Sequence, residues 1–220
     1  MKQVAVIGLG QFGMHLARTL VNMGCEVIAI DLNEDRVNDI RDHVHRAIIG
    51  DARDFQMLKR ALAGKVDEAV VGLGEGNIEP SILCTLNLKR IGIKAIQSTA
   101  RNDDHAAILH AVGATEVIFP ERDSAERLAR HVANPDIRDM FSLADDYRIM
   151  EVIAPEPIHG KSLQDLSLRQ NYDLLVLAVK EKQQERFQFL PNPATIIQPE
   201  ETLMILGREL DLARFVGLGE

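Results

Sequence analysis

The chain has 220 residues, 46% hydrophobic and 26% charged, enough apolar material for one large or two modest cores and too much for a disordered chain. Its net charge of −8 argues against a nucleic-acid partner, whose phosphates call for clustered Lys and Arg. No apolar run approaches the ~18 residues that span a bilayer, and Cys25 and Cys84 stand far apart without C-x-x-C spacing, as reduced core residues of a cytosolic protein do.

Met1-Lys2-Gln3 runs straight into a predicted strand, so no secretory leader is expected. That strand, Lys2 to Ile7, is an apolar run too short for a helix. Gly8-Leu9-Gly10-Gln11-Phe12-Gly13 follows, then a helical pattern (Leu16, Ala17, Leu20, Val21), then a second apolar run, Val27 to Ile30, closed by Asp31. Strand, G-x-G-x-x-G, helix, strand and terminal acid together form a dinucleotide-binding fingerprint. Gly8 permits the tight turn, Gly10 lets the backbone approach a pyrophosphate, and Gly13 lets the helix pack on the strand. The phosphates would sit on open N–H groups of the helix starting near Gln11. Asp31 is placed to accept hydrogen bonds from an adenosine ribose at a surface crevice, where its loss should spare the fold. A carboxylate there repels a 2′-phosphate, which disfavours an NADP-like ligand.

After Asp31, Asn33 to Asp42 is a predicted helix with Asn33 as its N-cap. A strand at Ala47 to Ile49, a helix over Phe55 to Ala63 and a strand at Ala69 to Val71 follow. Gly72-Leu73-Gly74-Glu75-Gly76 leads into a long helix from Asn77 to about Ile91. Strand Ile93 to Ser98, helix Asp103 to Val112 and strand Thr115 to Phe119 complete the series. Apolar strands alternating with helices predict a parallel sheet covered on both faces, and the right-handed crossover rule gives it the order 3-2-1-4-5-6. The fold class is therefore α/β, a Rossmann-like doubly wound six-stranded sheet.

Beyond Pro120 the pattern changes. Ser124 to Val132 and Asp136 to Leu143 are predicted helices separated by Asn134-Pro135, and their apolar side chains call for a cover that a second subunit would supply. From Arg148 on, strands at Ile149 to Ala154, Leu174 to Val179, Phe187 to Phe189 and Leu203 to Leu206 mix with helices at Leu163 to Leu168 and Glu209 to Val216. This predicts a small α+β domain. The expected domains are 1–145 and 146–220.

Several stretches together resemble a known family. The opening glycine loop, Gly50-Asp51-Ala52, Gly76-Asn77-Ile78-Glu79-Pro80-Ser81 and Phe119-Pro120-Glu121-Arg122-Asp123 are similar to the regulator-of-potassium-conductance (RCK) domain of the KtrA/TrkA proteins. Gly160-Lys161-Ser162-Leu163, Leu168 to Tyr172 and the Glu201 to Gly207 stretch resemble that family's C-terminal module, so the likeness covers essentially the whole chain. The resemblance implies a cytoplasmic subunit that binds NAD(H) or ADP/ATP, forms homodimers assembling into an octameric ring, and gates a membrane potassium-translocating subunit at the inner face of the plasma membrane.

Carried over by this resemblance, Gly8, Gly10, Gln11, Phe12 and Gly13 form the phosphate loop and Asp31 holds the ribose. Asp51 and Ala52 lie beside the adenine, unless Asp51 caps the next helix. Asn77 is a helix N-cap or a ligand contact. Glu121 reaches a neighbouring subunit's nucleotide, or complements the dipole of its own helix. Some members carry Arg where this chain has Gln11, and many a basic residue where Thr99 stands; Arg101 can compensate. Two missing cations weaken triphosphate binding, so NAD(H) is favoured over ADP/ATP.

His43 and His45 alternate without a completing Cys or carboxylate cluster, and His105 and His110 are five apart, off the i,i+4 ligand spacing, so no metal site is expected. Ser162 and Ser167 have no positioned base. Two further readings stand beside the regulator. An NAD-dependent oxidoreductase would need a proton donor and substrate clamp that the small second domain does not offer. A cyclic-dinucleotide-binding module would use Ile153, Arg169, Asn171 and Tyr172.

Overall fold

In the computed structural model, which describes all residues except 65, 74–77, 183, 185 and 218–220, the first strand, β1 (Gln3–Ile7), sits in the middle of its sheet. Its side chains alternate between two cores. Ala5 and Ile7 pack with Ile30, Leu58, Val71, Leu88 and Ile96 on one face; Val4 and Val6 pack with Val27, Ala29, Val37 and Ile40 on the other. Each fully buried Ile or Leu in these layers contributes about 1.5–3 kcal/mol.

The chain continues through α1 (Gln11–Asn22), β2 (Glu26–Asp31), α2 (Glu34–Ile40), β3 (Arg46–Ile49), α3 (Phe55–Ala61), β4 (Glu68–Val71), α4 (Glu79–Ile91), β5 (Ala95–Thr99), α5 (Asp103–Val112), β6 (Glu116–Ile118) and α6 (Pro120–Ala133). All sheet pairings are parallel, and the strand order is β3-β2-β1-β4-β5-β6, as the sequence predicts. The order reverses between β1 and β4, which opens a crevice beyond their carboxyl ends. Side chains start three of the helices: Asn33 accepts from Arg36 N at 3.1 Å, Asp54 from Gln56 N at 2.7 Å, and Asn102 from His105 N at 2.9 Å.

Two compact units, Met1–Asp123 and Ser124–Glu220, part within α6, ahead of the break expected near Asp145-Asp146. The second unit contains β7 (Ile137–Ser142), β8 (Tyr147–Ile153), α7 (Leu163–Leu166), α8 (Leu168–Tyr172), β9 (Leu175–Lys180), β10 (Gln188–Phe189), β11 (Thr202–Arg208) and α9 (Glu209–Val216). Its antiparallel sheet has the order β10-β9-β11-β8-β7, and Met150, Leu203, Ile205, Leu212 and Phe215 form its core.

The helix expected over Asp136 to Leu143, the second of those offered as dimerisation helices, is the strand β7. Ile137, Met140 and Phe141 imitate a helical repeat, but Leu143 N donates to Tyr147 O at 3.0 Å and closes a hairpin, pairing Phe141 with Ile149 and Met140 with Met150. Non-local pairing outweighs the local pattern. A register shift between Ile137 and Asp139 turns Ile137 into the core while Phe141 stays 48% exposed. The helix expected over Leu163 to Leu168 is broken at Ser167, whose φ of 43° separates α7 from α8.

Candidate functional site

The crevice at the carboxyl ends of β1, β2 and β4 is a cleft of about 330 Å³, and Gly8, Gly10, Asp31, Leu32, Arg36, Gly50, Asp51, Ala52, Arg53, Gly72, Leu73 and Pro80 are among its walls. Two glycines make the turn possible. Gly8 has φ +93°, and a Cβ added there would lie 2.5 Å from Gly72 O. A Cβ on Gly13 would lie 1.9 Å from Gly8 O, so only glycine lets α1 lean this closely on the loop. Gly10 precedes α1 with φ −64° and ψ −173°, no side chain caps the helix, and its first turn holds no acid. The open N–H groups there face an anion's position with the positive end of the dipole behind them.

Asp31 is more than a ribose ligand in waiting. It is 7% exposed; one carboxylate oxygen accepts from Leu9 N at 2.5 Å and the other from Asn33 N at 2.7 Å, while Arg36 Nη1 stands 3.8 Å away. The carboxylate thus ties the glycine loop to the end of β2, so it contributes to stability besides any role towards a ligand. Lone pairs remain on both oxygens for a sugar hydroxyl.

On the opposite wall Asp51 does not cap α3; that work belongs to Asp54, which accepts from Gln56 N and Met57 N. Asp51 instead accepts from Arg53 N at 2.9 Å and holds the Arg53 guanidinium through Nε at 3.0 Å and Nη2 at 2.7 Å. These hydrogen bonds hold its carboxyl below the usual carboxylate range. From behind, the buried Asn87 of α4 donates to Arg53 O at 2.9 Å and fixes the loop against the helix.

Of the residues singled out from sequence, Gly8, Gly10, Asp31, Asp51 and Ala52 come together around the cleft. Gln11, Phe12 and Gly13 form the first turn of α1, with Phe12 packed into the core behind it and Gln11 exposed. Arg101 follows β5 and Glu121 opens α6, both at the carboxyl edge of the sheet but outside the cleft's walls. Asn77 lies outside the described residues. Arg36, Arg53 and Asn87 are the residues that sequence reasoning missed. Arg36 and Asn87 sit on helices assigned to packing and Arg53 in the loop ahead of α3, and only proximity to Asp31 and Asp51 could have marked the two arginines. Among the described residues no group of His, Cys, Asp and Glu could hold a metal ion, and Cys84 is buried, its thiol pushed far up by burial.

Comparison with known proteins places these features in context. A family model described as the TrkA-N domain matches residues 4–120, and one described as the TrkA-C domain matches residues 147–217. The Ktr system potassium uptake protein C of Bacillus subtilis (strain 168) is 35% identical over 214 residues, covering 97% of this chain and 96% of that protein. Among solved structures, the GsuK channel has a TM-score of 0.67 at 17% identity, covering 96% of this chain and 38% of its own, a likeness of fold. The structure of GsuK bound to ADP has 25% identity and a TM-score of 0.51, covering 60% of this chain and 34% of its own.

Proposed function

Because this chain belongs to the TrkA/Ktr family of potassium uptake proteins, matched in both its N-terminal and C-terminal domains, we infer that it is a nucleotide-sensing regulatory subunit of a potassium uptake system. One observation carries the reading: a likeness to a Ktr protein that runs the length of both chains and includes an intact dinucleotide cleft. The pyrophosphate lies along Gly8 and Gly10 at the start of α1, the ribose hydroxyls meet Asp31, and the adenine sits between Leu32 and the Asp51-Ala52 wall. Arg101 supplies the phosphate-facing cation that Gln11 does not, and Glu121 extends towards a neighbouring subunit's nucleotide. NAD(H) is the favoured ligand and ADP/ATP its competitor; one GsuK structure is bound to ADP and another to NAD.

The chain acts without turnover. What supports this is that relatives matched over nearly their whole length are potassium uptake proteins. No described helix is long and apolar enough to cross a membrane. Its likeness to Ktr potassium uptake proteins supports a subunit that works from the cytoplasm on a separate membrane translocating subunit. Leu128, Val132, Phe141 and Leu143, 62%, 70%, 48% and 59% exposed, supply a face for a second copy, from which dimers build the octameric ring. A nucleotide gates flux to the extent that it binds one arrangement of the ring better than another.

The test is co-expression with a Ktr- or Trk-type membrane translocating subunit. The reading expects the two to co-purify, and the complex to bind NAD(H) or ADP/ATP in calorimetry. A chain that binds none of these nucleotides, or that leaves potassium uptake unchanged when deleted, refutes it.

A further inference from the structure

His105, on the first turn of α5, is 1% exposed and belongs to a hydrogen-bonded chain that joins two helix starts. Its Nε2 lies 2.9 Å from Ser81 Oγ, on the first turn of α4, and Ser81 Oγ donates to Ile78 O at 2.7 Å. A serine hydroxyl has one proton. Since Ser81 gives it to Ile78, the oxygen can only accept from His105, and Nε2 must carry the ring's hydrogen. On the other side Arg101 N donates to Nδ1 at 3.3 Å, which requires that nitrogen to be bare. Both contacts select one neutral tautomer, and neither leaves room for a second ring proton.

We propose that His105 is a positioning residue for the nucleotide site: its neutral ring holds the Arg101 backbone and the start of α4 in the arrangement that receives the ligand's phosphates, and protonation releases them. The proposal rests on the reading of Arg101 as the phosphate-facing cation. An added proton on Nδ1 would point at the Arg101 N–H, donor against donor, so the loop between β5 and α5 must move and carry the guanidinium with it. Binding thereby becomes sensitive to pH.

The charged and titratable groups on the elements packed with α5 are Glu79, Lys89 and Arg90 on α4, Asp103, Asp104 and His110 on α5 itself and Glu116 on β6, with Arg101 just ahead of α5 and Arg122 paired with Asp103 at 3.0 Å. Burial is what pushes the imidazole below its ordinary value of about 6.5. A group lowered in the folded state contributes stability in full above its unfolded pKa and loses it as pH falls through the folded one. The arrangement is therefore whole at neutral pH and fails on acidification.

The test is calorimetric titration of the full chain with ADP-ribose, whose diphosphate has no ionisation near neutrality, between about pH 8 and about pH 5.5. The expected result is an affinity that holds above about pH 6.5 and falls, by less than about tenfold, towards the acid end, and a flat profile in His105→Gln, which keeps a donor for Ser81 but cannot titrate. A wild type that binds at pH 8 with a flat profile overturns this proposal alone, as does a His105→Gln protein with the wild-type slope. A wild type that binds no ADP-ribose at pH 8 overturns this proposal, and one that also binds none of NAD(H), ADP and ATP overturns the nucleotide reading. Ring 15N shifts of His105 in the wild type give an independent measure: protonated Nε2 and bare Nδ1 are expected, and the opposite tautomer refutes the geometry.

Discussion

Replacing Asp31 with alanine should lower both stability and affinity, by separable amounts. In the free protein the carboxylate accepts from Leu9 N at 2.5 Å and Asn33 N at 2.7 Å, and it is 7% exposed. Hydrogen bonds to a charged acceptor contribute about 1.5–3 kcal/mol each, but water can reach the Asn33 amide more easily than the Leu9 amide, so the second loss is the smaller. The exposed Arg36, 3.8 Å away, adds under about 1 kcal/mol. Together these give about 2–4 kcal/mol, or a fall of about 10 °C in the melting temperature of a unit of this size. Losing the ribose contact then weakens adenine-nucleotide binding by a further 10- to 100-fold, about 1.5–3 kcal/mol. Asp31→Asn should fall between, since its carbonyl satisfies one amide while its NH2 group faces the other. Circular dichroism melts without nucleotide, followed by calorimetry at a temperature where the variant is folded, separate the two effects. An alanine variant that melts within about 2 °C of wild type would show that the carboxylate does not tie the loop. One that keeps wild-type affinity removes the ribose assignment.

Gly10→Ala and Gly13→Ala should differ in kind. Gly10 has a φ of −64° that any residue adopts, so its variant folds and loses nucleotide affinity, whereas the 1.9 Å clash at Gly13 costs folded protein in expression and melting assays. If both variants behave alike, the division of labour in the loop is wrong. Cys84 should resist iodoacetamide in the native protein at neutral pH and react once it is unfolded, because burial raises its thiol pKa; mass spectrometry of the alkylated peptide reads this directly, and native labelling would contradict the burial. Leu128→Asp with Val132→Asp should reduce the particle mass in light scattering, since each buried side chain contributes about 1.5–3 kcal/mol to an interface. An unchanged mass would move the subunit contact elsewhere.

The first unit was legible in the sequence because its signals are local and agree with one another. Asn33, the expected N-cap, stands immediately before its helix and accepts from Arg36 N. The glycine spacing and the acid ending β2 marked the turn and the cleft that Asp31 lines. What escaped depended on partners distant in the chain. Residues 136–143 carry a helical apolar spacing, but a hairpin to β8 makes them an edge strand. Asp51 is the cap read from the sequence, and the backbone shows instead that Asp54 faces the N–H groups while Asp51 holds Arg53. Asn87 lies 34 residues from the carbonyl it holds, and His105 lies 24 from Ser81, separations over which spacing rules carry no information.

The central claim is that nucleotide occupancy of the first unit sets potassium flux through a membrane partner. Its most direct measurement is potassium flux in proteoliposomes holding the translocating subunit and this chain, compared with NAD, NADH, ADP, ATP and no nucleotide. A coupling of about 1–3 kcal/mol predicts a 5- to 150-fold difference in flux between the best and worst ligands, abolished by Gly10→Ala. Equal flux under all five conditions, with the chain demonstrably bound, would contradict the account.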